Sequence, residues 1–294
     1  MRHLPLALAT ALSTLAVAPA AAGPVLDGIR EKGRIVIAHR ESSVPFSYVD
    51  NGKPVGYAVD LCRKVAEAVR VKLGLKTLAV EYLKVTPADR MPVIIERRAD
   101  LECGSTTNNA ERRQKVAFTV PHYVAGARYL VRADSDIGDL QGFQGKKLVS
   151  TTGTTPLKAI VAANKERQLG ITVLEATDHA RAVEMVEKGE ADGFAMDDVL
   201  LYGLRAGRPD PGKLKVVGKL LTVEALSIML SKDDAEFKQI VDEEMKRLVV
   251  SREASALYER WFSTPIPPKN APLNIPMNYL LKDLWKYPTD WGPG

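Results

Sequence analysis

Short apolar runs alternate with amphipathic helical stretches along most of this chain, and that alternation restricts it to an α/β fold built on parallel strands. Arg34-Ile35-Val36-Ile37-Ala38 reads as a buried strand, and Leu61, Val65, Ala68 and Val69 then recur at the spacing of one helix face. Ala79 to Val85 alternates like a strand, Asp89 to Arg97 reads as a helix, and Asp100 to Cys103 is strand again. A second series opens after Tyr123. Lys147 to Ser150, Ile171 to Leu174, Gly193 to Met196 and Lys215 to Val217 read as strands. Helices are expected after Thr154-Thr155-Pro156, with a hydroxyl cap and an early proline, and over Ala180 to Glu187. Beyond Ala225 to Leu230, two more helices are expected over Asp233 to Val249 and Glu253 to Phe262. No internal repeat accompanies the two series. The proline-rich stretch from Thr264 to Gly294 excludes a long helix, and its Trp285 and Trp291 are suited to wrapping onto a lobe.

At 294 residues the chain exceeds what one core usually serves, which allows two lobes. The expected division is a signal peptide over 1–22, a discontinuous first lobe over 23–124 and 223–294, and a second lobe over 125–222. The signal reading rests on a basic tip, an apolar stretch from Leu4 to Val17, and the small residues Ala20-Ala21-Ala22. It implies export to the periplasm as a soluble protein, since the apolar run falls short of a membrane span. The 41 lysines and arginines against 36 acids are scattered, which argues against a nucleic-acid partner. Cys62 falls in a helical pattern and Cys103 in a strand, so both read first as small buried apolar groups, with a disulfide open to an exported protein.

Ligands of open α/β sheets sit beyond the carboxyl ends of strands, near helix N-termini. That rule collects Arg40, Ser105, Thr107, Thr154, His179 and Asp197, a cationic set with one carboxylate that complements an acidic amino acid. Bond-breaking chemistry has little support. No Gly-x-Ser-x-Gly, His-Glu-x-x-His or P-loop spacing occurs, the histidines lack metal-ligand spacing, and no cofactor motif is present. Several of these residues and their neighbours also have ordinary structural readings. Arg112, between Glu111 and Arg113, reads as an exposed helix arginine; His179 after Asp178 reads as part of a helix cap; Thr154, Thr155 and Asp198 read as caps as well.

The segments His39-Arg40-Glu41-Ser42-Ser43-Val44-Pro45-Phe46-Ser47-Tyr48, Glu102-Cys103-Gly104-Ser105-Thr106-Thr107-Asn108-Asn109, Gly153-Thr154-Thr155, Met196-Asp197-Asp198 and Ile266-Pro267-Pro268-Lys269-Asn270 resemble the periplasmic amino-acid-binding proteins of ABC importers. The resemblance runs from about Leu26 to Pro268 and points to the glutamate/aspartate binders. It implies a two-lobed, type II Venus-flytrap fold with two hinge crossings, near Val124-Ala125 and near Leu221 to Glu224. The implied protein is a monomeric receptor with no catalytic activity, handing L-glutamate or L-aspartate to a permease in the inner membrane. The resemblance also implies residue roles. Arg112 and Thr107, helped by Thr154 or Thr155, would take the ligand α-carboxylate; Ser105 and Asp197 would take the ammonium. Arg40 would meet the side-chain carboxylate, with Arg90 and His179 as further contacts, and Ser43 completes the set. Pro87 stands where close relatives have serine, which leaves the choice between glutamate and aspartate open. Other readings on the same scaffold are a dehydratase, with Glu41 or Asp197 as proton-transfer carboxylate, a glutamine/asparagine binder, or a sensory module.

Overall fold

The computed structural model describes residues 23–290. The expected signal peptide and Trp291 lie outside the described residues. In chain order the first part comprises α1 (Pro24–Lys32), β1 (Arg34–His39), β2 (Ser42–Ser43), β3 (Ser47–Asp50), β4 (Lys53–Val55), α2 (Tyr57–Lys72), β5 (Ala79–Lys84), α3 (Arg90–Ile95), β6 (Leu101–Thr107), α4 (Ala110–Arg113), β7 (Ala117–Phe118) and β8 (Tyr123–Ala125). The second part comprises β9 (Ala127–Arg132), β10 (Lys147–Thr151), α5 (Thr155–Arg167), β11 (Thr172–Ala176), α6 (His179–Glu187), β12 (Gly193–Asp197), α7 (Asp198–Ala206) and β13 (Leu214–Val217). The chain then returns through β14 (Glu224–Leu230), α8 (Ala235–Val250), α9 (Glu253–Phe262) and α10 (Tyr279–Leu284).

Two sheets share one plan. The first has the order β5-β1-β6-β14-β7, with β8 also on β14; the second has the order β11-β10-β12-β9-β13. In each, a parallel trio has its earliest strand in the middle, and an antiparallel strand runs beside the third. The repeat is therefore one of topology with no residue pattern behind it. The antiparallel members β9 and β14 flank the two crossings between sheets, where β8 pairs with β14 through Glu224 opposite Ala125. Leu221 and Thr222 close the junction, the Leu221 amide donating to Ala127 O and the Thr222 hydroxyl accepting from the Ala127 amide.

β6 and β14 are buried along their whole length, while the edge strand β5 alternates between half-buried and exposed positions. An aromatic cluster beneath the first sheet fixes the loop after β1. Phe46 packs edge-on to Tyr123 at 5.1 Å and to Phe262 at 5.6 Å, and Tyr258 stacks on Phe262 at 4.1 Å. Cys62 of α2 and Cys103 of β6 form a disulfide, which corrects the preferred reading of two separate apolar groups. Helix packing brings the two Cα atoms to 6.3 Å, a proximity that position along the chain could not reveal. The tail after Thr264 does wrap back: Trp285 Nε1 donates to Pro121 O, Asn278 Nδ2 to Val124 O, and Asn108 Nδ2 to Asp290 O. Among the described residues no helix is long and apolar enough to cross a membrane.

Candidate functional site

The carboxyl ends of β1, β6, β10 and β12 point toward one another across the gap between the sheets, and the polar residues gather there. Arg90, Ser105, Thr107, Thr154, Thr155, His179 and Asp197 line one small, tightly closed cavity with Pro156 and Met196. Arg40, Ser43 and Arg112 stand one layer out. Arg40 reaches His179, Ser43 lies 3.4 Å from the Ser105 hydroxyl, and Arg112 holds Thr107 by its carbonyl. A larger hollow between α2 and α8, about 960 Å³, is an open groove among Lys64, Glu67, Glu243 and Arg247 and brings no converging donors.

Three buried guanidinium groups dominate the electrostatics. Arg40 is fully buried one residue past β1; its Nε donates to Val85 O at 3.1 Å, and its Nη2 lies 3.4 Å from His179 Nε2. Its Nη1 is buried with no partner among the described residues. Arg90 Nη1 donates to Ser105 O at 3.5 Å. Arg112 is buried, because Asn109 caps α4 and turns the helix back onto the end of β6. Its Nη1 donates to Thr107 O at 2.9 Å and its Nη2 to Gly153 O at 3.2 Å, so the exposed-helix reading does not hold. Burial first, and the Arg90 charge second, bring Arg40 down to about 10 and Arg112 to about 9. All three remain cationic at neutral pH. Desolvated cations this close together stabilise an anion placed among them.

His179 is the first residue of α6, and the cap itself is Asp178, which accepts from the Ala180 amide. Its Nδ1 lies 2.8 Å from Thr151 Oγ1. Arginine only donates, so Nε2 must be the acceptor and Nδ1 carries the proton. Burial, then the Arg40 charge, lower this histidine to about 3, which leaves a neutral ring beside a cation. Asp197 ends β12, and its Oδ1 is buried without a partner among the described residues. Burial, then the charges of Glu224 and Asp198, hold its carboxyl well above the usual range against the pull of Arg90 and Arg112. Asp198 turns away and accepts from the Val199 amide at 2.7 Å. Thr154 caps α5, its hydroxyl accepting from Leu157 N and donating to Thr151 O.

The two sides of the gap are in contact. Ser42 Oγ donates to Asp178 Oδ1 at 2.6 Å, the Thr107 and Thr155 hydroxyls are 3.0 Å apart, and Lys158 pairs with Glu111 at 2.6 Å. Gly153, at φ +80°, lies where a Cβ would fall 2.8 Å from Ala88 Cα and Pro87 O. Pro87 thus closes against the second sheet, and the Thr86 hydroxyl is engaged with Asp89 at 2.9 Å. Glu41 is exposed and paired with Lys84 at 3.3 Å, outside the cavity.

Two acids escaped the sequence reading of roles. Glu102 is fully buried on β6, its Oε2 accepting from Thr106 Oγ1 at 2.5 Å, with its charge acting on Arg40, Arg90 and Arg112. An acid between Leu101 and Cys103 in a buried strand was a usable signal, because such a charge needs a partner. Glu224 is also buried and accepts from Thr155 Oγ1 at 3.0 Å. Nothing in Thr222-Val223-Glu224 marks it apart from the turn.

Residues 35–264 match the profile of the bacterial extracellular solute-binding proteins, family 3. The chain is 40% identical over 296 aligned residues to the L-glutamate/L-aspartate-binding protein of Pseudomonas aeruginosa, covering 99% of this chain and 98% of that protein. It is 40% identical to the glutamate/aspartate import solute-binding protein of Escherichia coli, covering 98% of this chain and 95% of the relative. Among solved structures, a mutant of ArgBP from T. maritima superposes with a TM-score of 0.72 at 25% identity, covering 81% of this chain and 99% of that one. The ancestral amino-acid-binding protein AncCDT-1, a precursor of cyclohexadienyl dehydratase, superposes with a TM-score of 0.66 at 26% identity, covering 80% of this chain and 98% of that one.

Proposed function

Because this chain belongs to the bacterial extracellular solute-binding proteins, family 3, we propose that it is the periplasmic receptor of an ABC importer for an acidic L-amino acid, glutamate or aspartate. The observation that carries the reading is the group of three buried guanidiniums around one cavity, Arg90 lining it with Asp197 and Arg40 and Arg112 standing one layer out. Buried Glu102 and Glu224 offset part of that positive charge, and the remainder favours an anionic ligand over a neutral or a cationic one. The glutamate and aspartate named in the curated relatives point the same way.

In this reading Arg112 and Thr107 hold the α-carboxylate with Thr154 or Thr155, and Ser105 and Asp197 hold the ammonium. Arg40 and Arg90 serve the side-chain carboxylate, with His179 orienting Arg40 and Ser43 supporting Ser105. The lobes comprise 23–124 with 223–294, and 125–222, joined by the crossings at β8–β9 and β13–β14. Ligand bound to one lobe bridges to the other, closes the cleft, and presents the closed monomer to its permease. Closure draws on contacts that only the closed form makes.

A calorimetric panel of the twenty amino acids tests the assignment, with glutamate or aspartate expected to bind most tightly. Arg40→Asp is expected to abolish that binding. Reversing a desolvated charge costs at least the roughly 3–5 kcal/mol of stranding its partner, more than a hundredfold in affinity. Tight glutamate binding by a folded Arg40→Asp protein would remove Arg40 from the ligand set.

A further inference from the structure

Glu224 opens the strand by which the chain re-enters the first sheet, and it is 3% exposed. Its Oε2 accepts from Thr155 Oγ1 at 3.0 Å, and that hydroxyl lies 3.0 Å from Thr107 Oγ1. Both threonines line the cavity with Asp197. Strand register explains the convergence. Glu224 lies opposite Ala125 and Asp197 opposite Ala127, so the two acids flank one crossing segment from its two sides. The charged groups around them are Arg90 of α3 and Arg112 of α4, both also under the charge of Glu102, and Asp198 of α7, whose carboxylate is turned onto the Val199 amide.

We propose that Glu224 and Asp197 form a carboxylate pair that sets specificity at this site, admitting a ligand with an ammonium group and rejecting the dicarboxylic acid of the same skeleton that lacks one. The inference rests on the acidic-amino-acid reading of the cavity. Two carboxylates sharing a buried site repel each other, and Arg90 and Arg112, which also serve Glu102, offset that repulsion only in part. Burial and the Glu224 charge raise the Asp197 carboxyl despite both arginines, which favours a proton on it in the free protein. The ligand ammonium takes over the role, and the displaced proton passes to water. A plain dicarboxylate brings two negative charges and no cation, so it must leave that proton in place and forgo Asp197 as an acceptor. His179, neutral down to about 3, does not titrate in the range where the pair does its discriminating.

The test is calorimetry with glutamate and with glutarate, which is glutamate without its amino group, from pH 5 to pH 8. In the native protein the affinity ratio of glutamate to glutarate is expected to rise with pH, about tenfold per unit at the limit of one proton exchanged. Glu224→Gln keeps an acceptor for Thr155 but removes the charge; its ratio at pH 7.5 is expected to fall at least tenfold and to lose most of its pH dependence. An unchanged ratio in a variant that melts like the native protein overturns the inference. If Glu224→Gln does not fold, the native pH series decides, and a flat ratio overturns it. Should the amino-acid panel return a neutral amino acid as ligand, the acidic reading fails by itself. The same comparison, run with that amino acid and its deaminated acid, still supports or overturns the carboxylate pair.

Discussion

Gly203 of α7 packs directly against the loop between β2 and β3, and a Cβ there would fall 2.4 Å from Val44 O and 2.9 Å from Val44 C. That is about 1 Å inside ordinary contact, and both obstructing atoms are backbone. Gly203→Ala should therefore hold the two sides of the gap apart by about that distance. The bonds stretched would be Ser42 to Asp178 at 2.6 Å, Thr107 to Thr155 at 3.0 Å, Arg112 to Gly153 at 3.2 Å and Arg40 to His179 at 3.4 Å. A neutral hydrogen bond contributes about 0.5–1.5 kcal/mol and one to a charged group about 1.5–3 kcal/mol, so losing two or three destabilises the closed form by about 2–4 kcal/mol. If closure is what completes binding, ligand affinity falls roughly 30- to 1,000-fold. The same alanine favours the helix by up to about 1 kcal/mol, so the free protein should melt no lower than before. Gly28→Ala in α1, with no atom within 4 Å of the new Cβ, is the matched control and should leave affinity untouched. Calorimetry gives the affinity, and small-angle scattering with and without glutamate reads the closure. A Gly203→Ala protein that binds and compacts like the native one would refute both the packing argument and the role of closure.

Two further outcomes concern stability. His122 is buried between Phe46 at 5.6 Å and Tyr57 at 5.7 Å, and burial lowers it from 6.5 to about 3. The unfolded chain takes up this proton first as pH falls, so the histidine erodes stability from pH 6.5 downward, by about 1.4 kcal/mol per unit. Denaturant titrations of native protein and His122→Phe at pH 7 and pH 4 should show their stability difference shift by about 3 kcal/mol in favour of the variant at acid pH. A constant difference would contradict the neutral histidine. Opening the Cys62–Cys103 disulfide, which closes a separation of 41 residues, should cost about 4 kcal/mol by chain entropy. The paired serine variant, Cys62→Ser with Cys103→Ser, should unfold at lower urea yet keep glutamate affinity within about tenfold, because Ser105 and Thr107 stay anchored in a strand paired on both sides. An unchanged urea midpoint would contradict the stabilising role.

The parallel trios and their crossover helices were legible because strand and helix periods differ and each run was long enough to display its own. Thr154-Thr155-Pro156 announced α5 through local chemistry alone, a hydroxyl acceptor followed by a residue with no amide to satisfy. β9 was not legible. Ala127–Arg132 follows β8 after a single glycine, so no turn signal separates a strand of one sheet from a strand of the other. The short β2–β3–β4 sheet was missed for want of length, since two to four residues cannot display a period. Arg112 sits in a run of charges whose neighbour Glu111 is exposed. Only the turn of α4 back onto β6 separates it from a solvated arginine, and that turn belongs to tertiary structure. The disulfide, open in the sequence but not its favoured reading, stayed undecided for the same reason, being a consequence of how α2 lies on β6.

The charges are not shared evenly between the two sheets, and that division orders the binding event. Arg40, Arg90 and Arg112 all issue from the sheet of β1 and its helices, with Glu102 beneath them. The sheet of β10 contributes the neutral side chains Thr154 and His179 and the carboxyl group of Asp197. An acidic amino acid meeting an open cleft should therefore dock on the first sheet, where its two carboxylates find cations, before its ammonium meets Asp197 and displaces the proton favoured there. The second sheet then acts as a check on the ligand, since closing it over a guest without an ammonium leaves that proton in place and Asp197 without its charged partner. Glu224 stands on the crossing, where closing motion and charge converge: its bond to Thr155 forms part of the closed contact, and its charge makes the demand for a cation stronger than Asp197 alone could. In the proposed reading, capture and selection thus fall to different halves of the chain, and the crossing couples them.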